Sequence, residues 1–430
     1  MANTYLTRTP SSAGNRRTFT ISTWVKRSSI ASGSKTIFGI GNSSSSTSDA
    51  DWFSLAFNGS TNRIRSVQYN TVIFDSNRLF RDTSAWYHIV YAVDTTQGTA
   101  SDRVKVYING VQETSFATVN YPSQNYDFVV NTTVPHMIGR EDGNGSGYFD
   151  GSMSYVALVD GTAELPTIFG ETDSVTGQWK IKTDITPSVA WGTNGFLILK
   201  NGNSLTDEST NSNNFTLGGG TLTNTLDCPD NVFATFNSLA RFPVAPTYSN
   251  GNNTTTAGAG GSGSSPFSTI GASSGKYYAE LSLGSVNGGG ISCGIIDITQ
   301  FNPNFQTDAW FYYPTYGYAY MSSNGNKGNN NAETSYANSY TNGDRIGVAM
   351  DLDNNKLYFA KNGVWQNSGD PTSGATGTGA AFTIADGTYG FAVYGYQEKV
   401  WYANFGNGTF GTSAVTSAGT AGSTPGTFEY

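Results

Sequence analysis

Apolar and polar residues alternate with a period of two through much of this chain, the spacing that places every second side chain on one face of a strand. In Thr18–Val25, the residues Phe19, Ile21, Thr23 and Val25 form one row, with polar partners on the other face. Comparable runs follow at Thr36–Ile40, Trp52–Phe57, Trp86–Val93 and Phe149–Val159. Val104–Ile108 leads into Asn109-Gly110, a pair that tolerates two positive φ angles and so predicts a tight hairpin. Ser/Asn/Gly stretches such as 41–49 and 141–147 separate these runs. Strands spaced this way predict an antiparallel sandwich or barrel over residues 1–162, of which the sandwich is the expectation taken forward.

Residues 163–240 are less regular and predict a connector with short strands. One of these, Gly195–Lys200, either adds a strand back onto the first sandwich, whose open edge would otherwise invite unwanted pairing, or founds a small third unit. Residues 241–266 hold three prolines and Gly/Ser/Asn/Thr tracts, which predict a linker or long surface loop. Alternation resumes at Lys276–Leu283, Ile291–Ile298, Tyr316–Met321, Arg345–Leu352, Lys356–Ala360, Tyr389–Tyr394 and Val400–Phe405, giving a second sandwich over 267–410. The remainder, 411–430, is expected to be a low-complexity tail that packs little. No stretch sustains a 3.6-residue period. The fold class expected is therefore all-β: two antiparallel, jelly-roll-like β-sandwich domains joined by an irregular, β-containing connector.

Composition narrows the function. Charged residues are 13% of the chain, about half the usual share, so Ser, Thr, Asn and Gly must carry solubility. The balance of 23 basic against 31 acidic residues gives a net charge of −8, with no basic run or stripe. Nucleic acid bound through counterion release is thereby excluded, and attraction to anionic membranes is disfavoured. No apolar stretch reaches the roughly 18 residues of a membrane span, and residues 1–8 lack the charged-then-apolar pattern of a secretory leader. Two cysteines, Cys228 and Cys293, supply neither a disulfide framework nor metal-type spacing.

In the first third, the order Phe19-Thr-Ile-Ser-Thr-Trp-Val25, Trp86–Asp94 and Val106-Tyr-Ile-Asn-Gly110 resembles a LamG-type, concanavalin-A-like domain. The resemblance continues through Met137-Ile-Gly139 and Phe149–Leu158. Farther along, Gly275–Leu281, Cys293-Gly-Ile-Ile296, Gly343–Asp353, Lys356–Val364, Tyr389–Val393 and Val400–Gly406 follow the order of a SPRY domain. That resemblance implies a bent sandwich that binds partners through loops at one end and carries no catalytic activity. A LamG-like sandwich, the link Leu226–Leu239 and a SPRY-like sandwich together resemble virion appendage proteins of tailed phages, particularly marine ones. Such proteins fold in a bacterial cytoplasm and work outside it, which fits the missing leader.

Candidate chemistry is sparse. Concanavalin-A-like glucanases carry Glu-x-Asp-x-x-Glu, and the nearest match, Glu171-Thr-Asp-Ser-Val-Thr176, lacks the last carboxylate and sits between Gly170 and Gly177 as a loop would. His88, in an apolar strand, and His136, after Pro135, are expected to be structural. Asp351-Leu-Asp-Asn-Asn355 starts like a calcium loop but has Lys356 where the turn needs Gly, and it reads as a hairpin turn. Asp94 with Asn109, and Asp142 with Asn144, are oxygen-rich candidates for calcium at the rim of the LamG-like domain; solvated turns are the other reading. No further cofactor is expected.

The most unusual segment is Trp310–Tyr320. Tyr316, Tyr318 and Tyr320 share one strand face, while Trp310, Tyr312 and Tyr313 precede a proline in a loop. Exposed aromatic faces stack on sugars or anchor protein interfaces at low entropy cost. Trp310, Tyr312, Tyr313, Tyr316, Asn324 and Asn326 are therefore the candidate ligand-binding residues, against the alternative that they only pack. The function expected is a non-enzymatic virion protein, tail-fibre-like or a tip appendage, binding host-surface glycans or proteins alongside other virion proteins and as a homo-oligomer. A capsid-decoration or head-fibre protein is the alternative, and an envelope-polysaccharide depolymerase a weaker one.

Overall fold

The computed structural model describes residues 3–30, 32–41, 52–141, 146–240, 244–259, 263–284, 290–300, 310–416 and 426–430. The chain divides into two compact units, one of residues 1–224 and 228–232, the other of 225–227 and 233–430. Both are all-β, and every strand pairing among the described residues is antiparallel apart from one isolated bridge. Among those residues no helix is long and apolar enough to cross a membrane.

In the first unit a six-stranded sheet runs in the order Phe196–Ile198, Gly151–Asp160, Thr18–Arg27, Trp86–Asp94, Val104–Ile108 and Val111–Gln112. Facing it is an eight-stranded sheet that includes Ser34–Gly41, Trp52–Asn58, His136–Ile138, Tyr5–Arg8 and, at its edge, Thr216–Gly219. Phe19, Ile21, Val25, Phe38, Phe53, Ile89, Tyr91 and Leu158 fill the space between them. The Asn109-Gly110 pair forms the hairpin as its dihedrals require, with φ of 49° and 79°.

The irregular stretch after residue 162 has two uses. Phe196–Ile198 and Thr216–Gly219 add edge strands to the two sheets, beside Gly151–Asp160 and Tyr5–Arg8. Phe169, Ile185, Val189 and Trp191 then pack on the outer face of the six-stranded sheet, against Val90, Ala92, Tyr107 and Val159. This second layer changes the expectation for Thr18–Arg27, whose polar row is buried rather than solvated. Its polar groups find partners there or within the sheet: the Thr20 hydroxyl donates to the Thr162 carbonyl at 2.8 Å and accepts from the Glu164 N–H at 2.7 Å, and the Ser22 hydroxyl meets His88 of the neighbouring strand at 2.9 Å. Buried hydroxyls without such partners would each cost about 1–3 kcal/mol.

In the second unit, one sheet contains Val400–Asn404, Lys276–Leu283, Arg345–Asp351 and Lys356–Lys361 in that order. A five-stranded sheet runs Ala332–Thr334, Lys327–Asn329, Gly317–Met321, Ser292–Asp297 and Tyr389–Tyr394. Leu281, Cys293, Ile295, Tyr318, Tyr320, Val348, Phe359, Phe391 and Trp401 form the core between them. Two segments differ from the sequence expectation. The stretch read as a linker carries Thr247–Ser249 and Thr254–Thr256, which extend the first of these sheets beyond Val400–Asn404. Asn250 and Asn252 turn that hairpin with φ of 52° and 66°, so a Thr/Asn-rich run that looked like coil is a pair of short strands. The tail packs as well: Ser413–Ala414 pairs with Thr409–Phe410, and Thr427 bridges to Asn407.

Candidate functional site

The six candidate binding residues converge on the outer face and rim of the five-stranded sheet. Strand parity sets up this face: Tyr318 and Tyr320 point into the core, so Ala319 and Met321 point outward. Phe311 and Tyr312 lie buried over that outward row with Ile296, Ala392 and Tyr394, while Trp310, Tyr313, Tyr316 and Tyr396 ring them, partly exposed. Trp310 stacks on Tyr394 with centroids 4.2 Å apart and planes at 17°. Tyr312 stands edge-on to both Trp310 and Tyr313, at 5.4 Å and 5.1 Å. Room for these rings comes from glycine: a Cβ on Gly328 would lie 2.7 Å from the Tyr312 ring, and one on Gly290 would lie 2.6 Å from Tyr396.

Glu333 ties the polar candidates to this cluster. Its Oε1 accepts the Tyr312 hydroxyl at 2.9 Å, and its Oε2 accepts the side-chain amides of Asn324 and Asn326, each at 3.2 Å. Burial pushes the Glu333 carboxyl up, but the three hydrogen bonds outweigh it and hold the group below its ordinary value. Burial also pushes the Tyr312 hydroxyl well up, so it stays a neutral donor. The sequence reading passed over Glu333, though a signal existed: it is the single carboxylate between Trp310 and Gly343. The result is an aromatic plate, rigidly packed beneath and edged by amides, suited to stacking and hydrogen bonding rather than to proton transfer.

Of the calcium candidates, Asp94 and Asn109 are not brought together. Asp94 ends its strand, and both its oxygens accept local donors: Thr96 at 3.1 and 2.6 Å and Gln97 at 2.5 Å. Asn109 lies at the other end of the same pair of strands, where its Oδ1 accepts the His88 N–H at 2.8 Å and fixes the hairpin. Six residues of strand between the two ends span about 20 Å, too far for one ion. Asp142 and Asn144 lie outside the described residues. Among the described residues no three His, Cys, Asp or Glu side chains are grouped to hold a metal.

Glu171 and Asp173 belong to a small hairpin, Gly170–Thr172 with Trp179–Ile181, rather than to a plain loop. Lys180 pairs with both at 3.3 Å. Asp173 also accepts from the backbone of Thr176 and Val175, and these bonds hold its carboxyl down at about 2. A carboxyl held so low is ionised at neutral pH and has no proton to give a leaving group. Beneath the same hairpin, His88 is sandwiched between Trp24, at 4.7 Å and 15°, and Trp179, at 5.9 Å and 17°. His88 Nδ1 accepts the Trp179 indole N–H at 3.0 Å, so Nε2 carries the proton and donates to Ser22 at 2.9 Å. Both histidines are thus hydrogen-bonded within the interior: His136 accepts the Asn131 N–H at Nε2 and donates from Nδ1 to the Val134 carbonyl.

Residues 2–168 match the concanavalin A-like lectin/glucanases superfamily, and residues 278–411 match the SPRY domain family. The first unit thus carries a concanavalin-A-like domain and the second a SPRY domain. Among solved structures, the SPRY domain of human HERC1 is 19% identical, with a TM-score of 0.31 over 39% of this chain and 96% of that one. Stonustoxin is 17% identical, with a TM-score of 0.31 over 40% of this chain and 27% of its own. A human SPRY domain is 20% identical, with a TM-score of 0.27 over 35% of this chain and 91% of that one. No curated protein sequence matches the chain.

Proposed function

We propose that the chain is a non-enzymatic attachment protein of a tailed-phage particle, tail-fibre-like or at a tip, that binds host-surface glycans. One observation carries the binding reading: the packed plate of Trp310, Tyr312, Tyr313 and Tyr316, with the amides of Asn324 and Asn326 fastened to it through Glu333. Sugars present one apolar ring face and a rim of hydroxyls, which an aromatic plate edged by amides complements. A site already held by its own hydrogen bonds loses little entropy on binding. The pairing of two binding-type domains, and a surface made soluble by uncharged polar residues, support an adhesive role over a catalytic one. Further copies of the chain and other virion proteins are its expected partners on the particle.

Position on the particle follows from immunogold labelling of purified phage with antibody to the recombinant chain. Label at the tail end supports host attachment. Label spread over the head replaces it with capsid decoration, and particles that never label reject the virion reading.

A further inference from the structure

Glu280 presents an unusual combination of position and burial. It lies in Lys276–Leu283, where Ala279, Leu281 and Leu283 point into the core, so its side chain points to the outer face of the sheet. A carboxylate there belongs in water, yet Glu280 is fully buried. What covers it is the segment Gly426–Tyr430. Glu280 Oε2 accepts the Glu429 N–H at 2.8 Å, and Oε1 accepts the Tyr430 N–H at 2.9 Å. Asn404, beside it in the sheet, donates its amide to Glu280 Oε2 at 3.2 Å and to the Thr427 carbonyl at 2.9 Å.

The side chains of the segment are received as specifically as its backbone. Phe428 meets the Tyr278 ring edge-on, with centroids at 5.0 Å and planes at 70°. Tyr278 in turn needs Gly347 beneath it, because a Cβ there would come within 2.5 Å of its hydroxyl. Glu429 pairs with Arg345 at 2.9 Å, whose guanidinium lies 4.3 Å over the Phe410 ring. Tyr430 covers Gly363, where a Cβ would lie 2.5 Å from its ring. Two adjacent backbone N–H groups on one carboxylate, an aromatic contact on each side and an ion pair between them make a recognition site for an extended peptide.

We propose that this outer face is a peptide-binding site specific for a Phe-Glu-Tyr segment, filled here by the chain's own residues 426–430 and open to the same residues of a second copy, so that copies can be linked. The segment's contacts with Glu280, Asn404, Tyr278, Arg345 and Gly363 are all made by residues 427–430 themselves, so the same residues of another copy can make them. With the segment gone, Glu280 becomes an ordinary solvated carboxylate on a sheet surface, so the open site carries no stranded buried charge. The chain's own segment wins in dilute solution through its high effective concentration, and exchange gains where copies are held close together.

The test is complementation between two variants. One, Glu280→Ala, keeps the segment and loses its acceptor; the other ends at Thr416 and keeps the acceptor without the segment. Neither can link to its own kind, and the mixture is expected to give a one-to-one complex in sedimentation. Free Gly-Thr-Phe-Glu-Tyr should dissolve that complex, and the same peptide with Ala for Phe should be weaker by roughly tenfold or more. Should the shortened chain fail to fold by circular dichroism, Phe428→Ala in the full chain opens the site instead. Folded variants that remain separate on mixing and bind no peptide would overturn the proposal.

Discussion

Trp179 donates its indole N–H to Nδ1 of His88 at 3.0 Å, joining a hairpin of the covering layer to a central strand of the first unit across 91 residues of chain. The bond sets the tautomer of a histidine with no contact to water. Trp179→Phe keeps an aromatic plane against the imidazole and leaves Nδ1 without a donor. A buried acceptor stripped of its partner costs about 1–3 kcal/mol, so the thermal transition of the first unit should fall by several degrees, with the second unit's unchanged. An unshifted first transition would mean that the bond contributes nothing.

Both histidines of the chain, His88 and His136, lie in this first unit. Burial pushes His88 down from 6.5 to about 3 and His136 down to about 4. A histidine depressed in the folded state costs nothing above pH 6.5, where both states are neutral. As pH falls below 6.5 the unfolded chain takes up protons that the folded one refuses. Each histidine then removes about 1.4 kcal/mol per pH unit, until the pH reaches its folded value. The first unit should therefore lose stability steeply between pH 6 and about 4. In nuclear magnetic resonance spectra, neither imidazole should titrate between pH 8 and 5; a midpoint near 6.5 would contradict their burial.

The strands legible in the sequence were those whose own pattern sufficed. Phe19, Ile21 and Val25 announce an inner face, and Asn109-Gly110 announces a turn, because each depends on neighbours a few residues away. Tyr5–Arg8, His136–Ile138 and Thr216–Gly219 are three or four residues long and are fixed by pairing rather than by their own pattern: His136–Ile138 lies between Ser34–Gly41 and Tyr5–Arg8, and Thr216–Gly219 adds on to Tyr5–Arg8. Thr247–Ser249 and Thr254–Thr256 were hidden in the same way, within a tract that reads as coil. At the candidate site the aromatic run was visible, but Glu333 there, like Glu280 on the other sheet, gains its meaning from partners brought to it by the fold. Asp94 and Asn109 show the reverse: residue types that suit calcium, placed at opposite ends of their strands.

Glu333 gives the second unit its own pH signature. Its hydrogen bonds hold the carboxyl below 4.5 against burial, so the stability it adds is present above pH 4.5 and is lost as pH falls through the lowered value. Glu333→Ala leaves the buried Tyr312 hydroxyl without an acceptor, at a cost of about 1–3 kcal/mol. Denaturant melts should place this loss in the second unit at neutral pH and show a smaller loss near pH 3. Equal losses at both values would mean that the carboxylate's charge is not what holds the three donors.

The aromatic plate is tested most directly on immobilised envelope glycans of the host, comparing the native chain with Trp310→Ala and Tyr313→Ala while the same reactions are assayed for released reducing sugar. Trp310 lies partly exposed on Tyr394, so its removal trims the plate without opening the core. We expect the native chain to bind without releasing sugar, and Trp310→Ala to bind roughly thirtyfold less tightly, the loss typical of a truncated anchor side chain. Undiminished binding by Trp310→Ala, or sugar released by the native chain, would contradict it.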